Sequence, residues 1–288
     1  MFVITQFIGL YVVNHYLADD QELPYGMKSP EVEQESDFYT AFLPSIIIAF
    51  IIAITLLFLL TKFKAEFILR VWFFIVVAIA LGITLNSIIP NFKHSSLIIF
   101  LFVLPFAFIK IYKTNFLVHN ITELLIYPGI AAVFVPMLNH ITIIILLVLI
   151  SGYDLWAVWH AGIMQKMAKY QIDKLRIFSG FFVPYASKRV KAQIKKLKKS
   201  ELKKKKIKVN MAILGGGDII FPIIAAGIMF KEFGIGPALF TVAGATLGLA
   251  YLSFMAKKKK WYPAMPFITA GIFLAMILSS LVFKHPII

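Results

Sequence analysis

Apolar residues run along the chain in long uninterrupted stretches, broken by short polar segments. A helix that crosses a bilayer needs about 20 mostly apolar residues, and nine stretches approach or exceed that length. These nine predicted spans are Phe2 to Leu17, Tyr39 to Leu60, Phe67 to Ile89, Ser95 to Ile111, Leu117 to Leu138, Ile141 to His160, Val209 to Phe230, Ile235 to Ala256 and Trp261 to Phe283. The pattern predicts an all-α membrane protein with nine transmembrane helices.

One polar segment is much longer than the others and divides the chain. It extends over residues 161–208 and is rich in lysine. The predicted organisation is therefore six spans in residues 1–160, a basic loop in 161–208 and three spans in 209–288. We expect the spans on both sides of the loop to form a single membrane domain.

Composition supports the membrane class. Hydrophobic residues make up 60% of the chain and charged residues only 15%, whereas soluble domains are about half apolar. A soluble protein with so few charges would lack a polar surface. The chain has no cysteine, which excludes disulfides, iron–sulfur ligation and a thiol nucleophile.

The positive charges are concentrated in the loops on one side of the predicted spans. Of the 29 Lys and Arg, 16 lie in residues 166–208 and four form the run Lys257 to Lys260. With the N-terminus inside, 25 of the 29 lie on the inner side. Inner loops of membrane proteins carry such an excess, so we assign the basic surplus to the inner membrane face rather than to nucleic acid. The prediction is an inside N-terminus and an outside C-terminus.

Three acidic residues lie within predicted spans: Glu123, Asp154 and Asp218. A carboxylate at the centre of a membrane helix costs about 2.5–3.5 kcal/mol, so each is a candidate functional residue. For Glu123 we favour a structural reading, an interhelical hydrogen bond. For the two aspartates we favour a functional one.

The two aspartates are expected at similar depth below the inner face. Asp154 lies six residues before the inner end of its span at His160, or about 9 Å at 1.5 Å per residue. Asp218 lies nine residues after Val209, or about 14 Å. Two facing carboxyl groups in a low-dielectric site share a proton. One can then activate water while the other polarises a carbonyl, without metal, cofactor or covalent intermediate.

Three short motifs sharpen this interpretation. They are Tyr153-Asp154, Gly215-Gly216-Gly217-Asp218 and Pro263-Ala264-Met265. Together and in this order they resemble the YD, GxGD and PAL motifs of the presenilin and signal-peptide-peptidase family of intramembrane aspartyl proteases. Methionine stands where that family has leucine, a change that conserves volume. The resemblance covers the whole predicted topology and is closest to archaeal members.

A second stretch, Pro237-Ala238-Leu239, spells the third motif literally. It is predicted at the outer end of its span, on the opposite side from both aspartates. Pro263 follows the inner lysine run by three residues. The topology therefore selects Pro263, Ala264 and Met265 as the residues that shape the site.

The resemblance implies an enzyme of the cell membrane of a prokaryote, in particular an archaeon. Its catalytic residues would be Asp154 and Asp218. Its substrates would be transmembrane proteins or peptides, cut within the bilayer. Two other readings stay open on the residues alone: an ion- or proton-coupled transporter that uses buried acids, and a membrane scaffold without activity.

Overall fold

The computed structural model describes residues 1–18, 66–90, 94–113, 116–161, 177–185, 210–256 and 261–284, with scattered positions between 44 and 59. The regular elements of these residues are α1 Phe2–Leu17, α2 Glu66–Ile88, α3 Ser95–Tyr112, α4 Phe116–Phe134, α5 His140–Trp156, β1 Gly180–Tyr185, β2 Asn210–Gly215, α6 Gly217–Phe233, α7 Ile235–Met255 and α8 Met265–Phe283. A 3-10 turn, Val135–Met137, extends α4, and a π-helical turn, Ala157–Ala161, extends α5.

Six helices of the described part are long and apolar enough to cross a membrane: Glu66–Ile88, Ser95–Tyr112, Phe116–Met137, His140–Trp159, Ile235–Met255 and Met265–Phe283. The shorter α1 is also apolar. Each predicted span other than the second overlaps one of the helices. The second, Tyr39 to Leu60, lies outside the described residues apart from scattered positions.

The predicted start of the seventh span at Val209 is wrong. Residues 210–215 form β2, and the helix α6 begins at Gly217. Three consecutive glycines are poor helix formers, so the chain before them is free to pair as a strand. Asp218 consequently lies in the first turn of α6 and not nine residues into a helix.

The helix of the ninth predicted span also begins later than predicted, at Met265 and not at Trp261. Proline disfavours helical backbone at the residue before it and supplies no N–H group to a helix. Pro263 therefore precedes α8, while Pro266 is tolerated in its first turn, where no N–H donor is required.

A small sheet corrects the all-α expectation. Strand β1 arises within the segment predicted as a loop, and it pairs antiparallel with β2. Gly180 lies opposite Gly215 and Tyr185 lies opposite Asn210. The sheet thus ends at the glycines that lead into α6.

Helix α6 lies at the centre of the molecule. It packs against α1, α4, α5 and α7. Every residue from Pro222 to Met229 is buried, so this part of the helix is enclosed on all sides, as expected for a core helix. Asp218 thus lies in the first turn of a helix that has little freedom to shift.

The end of α6 remote from Asp218 is held by polar contacts. The ammonium group of Lys231 donates to the carbonyl oxygens of Pro136 at 3.0 Å and Leu138 at 3.1 Å. Glu232 accepts the backbone N–H of His140 at 3.1 Å and also pairs with the His140 ring. These contacts fix α6 to the junction between α4 and α5.

Helices α7 and α8 approach each other with their backbones in contact. A Cβ atom placed on Gly244 would lie 2.3 Å from the carbonyl oxygen of Gly271, and one on Gly271 would lie 2.2 Å from the oxygen of Gly244. One turn along, a Cβ on Gly248 would lie 2.3 Å from the oxygen of Phe267. Small residues permit this close packing of membrane helices.

Candidate active site

Asp154 lies in the last turn of α5 and is 3% exposed. Its carboxylate oxygen Oδ2 accepts the backbone N–H of Met265 at 3.1 Å. The backbone of Ala264 also hydrogen-bonds to this carboxyl group. Met265 is the first residue of α8, where backbone N–H groups have no partner within the helix. Asp154 therefore caps α8 from a different helix.

A second polar contact joins the same two helices. The hydroxyl of Ser151 donates to the hydroxyl of Thr269 at 2.8 Å, and both side chains are buried. Ser151 precedes Asp154 by one turn, and Thr269 follows Met265 by one turn. The pair holds α5 and α8 in the register that brings Asp154 to Met265.

Asp218, in the first turn of α6, lies close to Asp154. The charge of Asp154 acts on Asp218, and the backbone of Gly215 hydrogen-bonds to the Asp218 carboxyl group. A Cβ atom on Gly215 would stand 3.2 Å from Asp218 Oδ2. The fold thus brings together the two acids that the sequence analysis selected.

The three glycines before Asp218 have different surroundings. A Cβ atom on Gly216 would lie 2.8 Å from the Ser179 hydroxyl and 2.9 Å from the Tyr127 hydroxyl. A Cβ atom on Gly217 would meet no atom nearer than Phe221, at 3.7 Å. A Cβ atom on Gly216 would therefore crowd two side chains of the protein, whereas one on the exposed Gly217 would make only ordinary contact.

The remaining residues selected from the sequence fall into two groups. Pro263, Ala264 and Met265 are all buried, and the last two contact Asp154. Tyr153 is 50% exposed, and its ring contacts that of Trp156. The literal Pro-Ala-Leu stretch begins at Pro237, in the first turn of α7, so the length of α6, about 25 Å, separates it from Asp218.

Several residues that border the site were not selected from the sequence. The hydroxyl of Tyr127 lies 3.4 Å from that of Ser179, and the Ser179 carbonyl accepts the Gly216 N–H at 3.2 Å. The amide of Gln6 on α1 donates to the carbonyl of Ile219 at 3.2 Å, directly after Asp218. A polar Gln6 within an apolar helix was a usable signal; the contacts of Tyr127 and Ser179 depend on tertiary structure.

Glu123, the third acid within a span, is not part of the aspartate pair. It is buried on α4 and forms an ion pair with Lys110 of α3, which is also buried. The ring of His119 lies 3.8 Å from the same carboxylate. The structural reading of Glu123 therefore holds in its essentials, with an ion pair in place of a neutral hydrogen bond.

The pair Asp154 and Asp218 can supply acid–base chemistry. Two carboxyl groups that interact in a low-dielectric site can hold one proton between them, which leaves one acid and one base. Within the part of the chain that the structure describes, no three His, Asp or Glu side chains are grouped so as to hold a metal ion. The arrangement is suited to hydrolysis by activated water.

Comparison with known proteins points in the same direction. A family model described as signal-peptide peptidase, presenilin aspartyl protease matches residues 1–285. Two crystal forms of a presenilin family intramembrane aspartate protease are similar in fold, with TM-scores of 0.60 and 0.61 at 18% and 20% identity. Each similarity covers 98% of this chain and 95% of the other. No curated protein sequence matches significantly.

Gly216 and Gly217, the second and third glycines of the Gly-Gly-Gly-Asp motif, give a matched test of the packing around this motif. We expect Gly216→Ala to lower the free energy of unfolding by about 1–3 kcal/mol, because overpacking in a closed core has that cost. Gly217→Ala should leave stability nearly unchanged, since its Cβ would make only ordinary contact with Phe221. Thermal unfolding of both variants in one detergent measures the difference, and equal destabilisation would contradict the assigned packing.

Proposed function

The chain belongs to the signal-peptide peptidase and presenilin family of aspartyl proteases, and from that premise we propose that Asp154 and Asp218 are its catalytic pair. The protein is an intramembrane aspartic endopeptidase. Family membership favours this function over the transporter alternative. The residue assignment rests on the electrostatic interaction between the two carboxyl groups, which lie in the last turn of α5 and the first turn of α6.

In the proposed mechanism the two carboxyl groups act as base and acid. The ionised one takes a proton from water as the water oxygen attacks the scissile carbonyl carbon. The protonated one transfers its proton to the carbonyl oxygen, which becomes a hydroxyl of a tetrahedral intermediate. When the C–N bond breaks, the leaving nitrogen takes the proton that the first carboxyl group gained from water. One hydroxyl of the intermediate then returns a proton to the second carboxyl group, which restores the starting pair. Atoms and charges balance with water as the only co-reactant.

The proposed substrates are transmembrane segments of other proteins, which must unwind to expose a peptide bond. An unwound segment in a membrane leaves backbone groups unpaired, each at a cost of several kcal/mol. Pairing with the edge of a strand satisfies them. The sheet of β1 and β2 leads directly into Gly216 and Asp218, which supports this sheet as the element that receives the substrate.

We assign a site-shaping role to Tyr153, Gly215, Gly216, Gly217, Pro263, Ala264 and Met265. Support for the last two comes from their backbone contacts with Asp154. Gly217 is exposed directly before Asp218, where an extended substrate needs room. In this role Pro263, Ala264 and Met265 orient the substrate and the acid but take no part in bond breaking.

The proposed arrangement in the membrane has nine spans, with the N-terminus inside and the C-terminus outside. It adds Tyr39 to Leu60 to the described helices and rests on the distribution of Lys and Arg. Residues 1–160, the basic loop 161–208 and residues 209–288 then form one membrane domain. The proposed location is the cell membrane of a prokaryote, an inference from the resemblance to archaeal members.

Removal of either acid tests the catalytic pair. We expect Asp154→Asn and Asp218→Asn each to reduce peptide cleavage by at least about 100-fold, because general acid–base catalysis contributes that much or more. Both variants should still insert and unfold at similar temperatures. Mass spectrometry of the products from a single-span peptide in detergent measures cleavage, and activity retained by either variant would exclude that residue.

Reporter fusions test the orientation. A reporter after Lys206 should lie in the cytoplasm, and one within residues 19–37 should lie outside, because 25 of the 29 Lys and Arg are assigned to the inner side. Accessibility of each reporter in intact cells gives the answer. The opposite pair of locations would reverse the proposed topology.

Substitution of one proline in each motif, Pro263 or Pro237, distinguishes the assigned motif from its literal copy. We expect Pro263→Ala to lower turnover by about 10- to 100-fold, since a small displacement of reacting groups has such an effect. Pro237→Ala, in the first turn of α7 and separated from Asp218 by the length of α6, should change turnover much less. Initial rates on the same peptide compare the two, with the amount of folded protein as the control. An equal loss in both, or a larger loss for Pro237→Ala, would contradict the motif assignment.

A further inference from the structure

The amide side chain of Asn120 on α4 binds the backbone of β1 as a neighbouring strand would. Its Nδ2 donates to the carbonyl of Phe182 at 2.9 Å, and its Oδ1 accepts the N–H of Phe182 at 3.1 Å. Both backbone groups of one strand residue are thus satisfied by one side chain. In a low-dielectric interior an unpaired pair of such groups is costly.

His119, the residue before, binds the same edge of β1. Its Nε2 lies 2.8 Å from the carbonyl oxygen of Gly180. Because a carbonyl oxygen only accepts, this nitrogen carries the proton. Gly180 and Phe182 are two residues apart, so their carbonyls point to the same side of the strand. The next position on that side is Pro184, which has no N–H to satisfy.

The two strands therefore present different edges. Phe182 lies opposite Ile213 and turns its backbone groups toward Asn120, so Ile213 turns its own N–H and C=O away from β1. Helix α4 covers the outer edge of β1. The other edge of the sheet is that of β2, and it leads through Gly215 to Asp218.

The face of α4 that carries His119 is itself held in place by contacts with other elements. His119, Glu123 and Tyr127 are spaced four residues apart and lie on one side of the helix. Glu123 is held by its ion pair with Lys110. Tyr127, one turn further along, contacts Ser179 and borders Gly216. This row of side chains joins α4 to the start of β1 at Ser179 and Gly180 and to Gly216, which connects β2 to α6.

We infer that Asn120 and His119 are positioning residues, which anchor β1 on α4 so that the sheet offers the edge of β2 to the substrate in a fixed register. The inference rests on the proposed function and deepens it. The register of the sheet relative to Asp218 decides which peptide bond reaches the aspartates. Loosening β1 should therefore alter the choice of bond as well as the rate.

The first test compares Asn120→Ala with Asn86→Ala. Asn86 is a matched control, since its amide donates to the Tyr16 hydroxyl at 3.1 Å in a different helix interface. For Asn120→Ala we expect about a tenfold loss in kcat/KM, mostly in KM, because two hydrogen bonds are removed. Cleavage should also spread to neighbouring peptide bonds. Asn86→Ala should keep the wild-type products.

Conservative variants separate positioning from simple loss of stability. His119→Gln keeps an N–H donor for the Gly180 carbonyl and should retain the product pattern, whereas His119→Ala should broaden it. The products of a single-span peptide are identified by mass spectrometry. If Asn120→Ala and Asn86→Ala gave the same KM and the same cleavage positions, the inference would be overturned.

A second measurement does not depend on cleavage. Hydrogen exchange in the Asp154→Asn background should be faster over residues 177–185 when Asn120 is alanine, and unchanged there when Asn86 is alanine. Equal exchange in the two would overturn the anchoring role. A wild-type protein that cut no single-span peptide would count against the aspartate pair itself, and exchange alone would then decide whether α4 anchors β1.

Discussion

Backbone N–H and C=O groups within a membrane must be paired by the protein, and this constraint governs the region around the two aspartates. The helices satisfy it internally, but a peptide-cutting site needs backbone that is not helical. Here the non-helical stretches are paired by particular groups: Asp154 caps α8, Asn120 saturates β1 at Phe182, and the Ser179 carbonyl accepts the N–H of Gly216. Because their backbone groups are paired, these non-helical stretches can lie beside the site within the membrane.

The same pairing joins the site to the rest of the fold. Asp154 is both a candidate catalytic group and the cap that starts α8. Gln6 reaches from α1 to the carbonyl of Ile219, so α1 contributes to the start of α6. The central position of α6 then fixes Asp218. Five helices from distant parts of the chain, α1, α4, α5, α6 and α8, thus determine the geometry of two carboxyl groups.

The apolar runs in the sequence located the helices that the structure describes, apart from the starts of α6 and α8. A spanning helix satisfies its own backbone hydrogen bonds and needs no distant partner to be recognised. The aspartates could be selected for a similar reason: a charge within an apolar run is conspicuous. The strand at Asn210 was not found because a single strand of six residues next to an apolar run has no period that separates it from a helix end. Its partner strand, β1, is not adjacent to it in the sequence, so no local pattern reveals the pairing.

The supporting residues were harder still to predict. Tyr127 and Asn120 lie within an ordinary amphipathic or apolar helix, and their function follows only from the position of β1. Glu123 was visible as a charge, but its partner Lys110, near the end of the fourth predicted span, had been counted only among the positive charges of the inner side. Such pairings are tertiary, and no local pattern specifies them.

The backbone contact between α7 and α8 at Gly244 and Gly271 has a mechanical consequence. Two helices whose backbones touch at these glycines have little scope to slide or rotate against each other. We therefore expect them to move as one rigid unit. Because Met265 at the tip of α8 binds Asp154, any displacement of that tip to admit a substrate would carry α7 with it. Such a displacement would bear on the connection to α6 at the other end of α7, where Gly234 has a φ of 87°, a conformation that favours glycine.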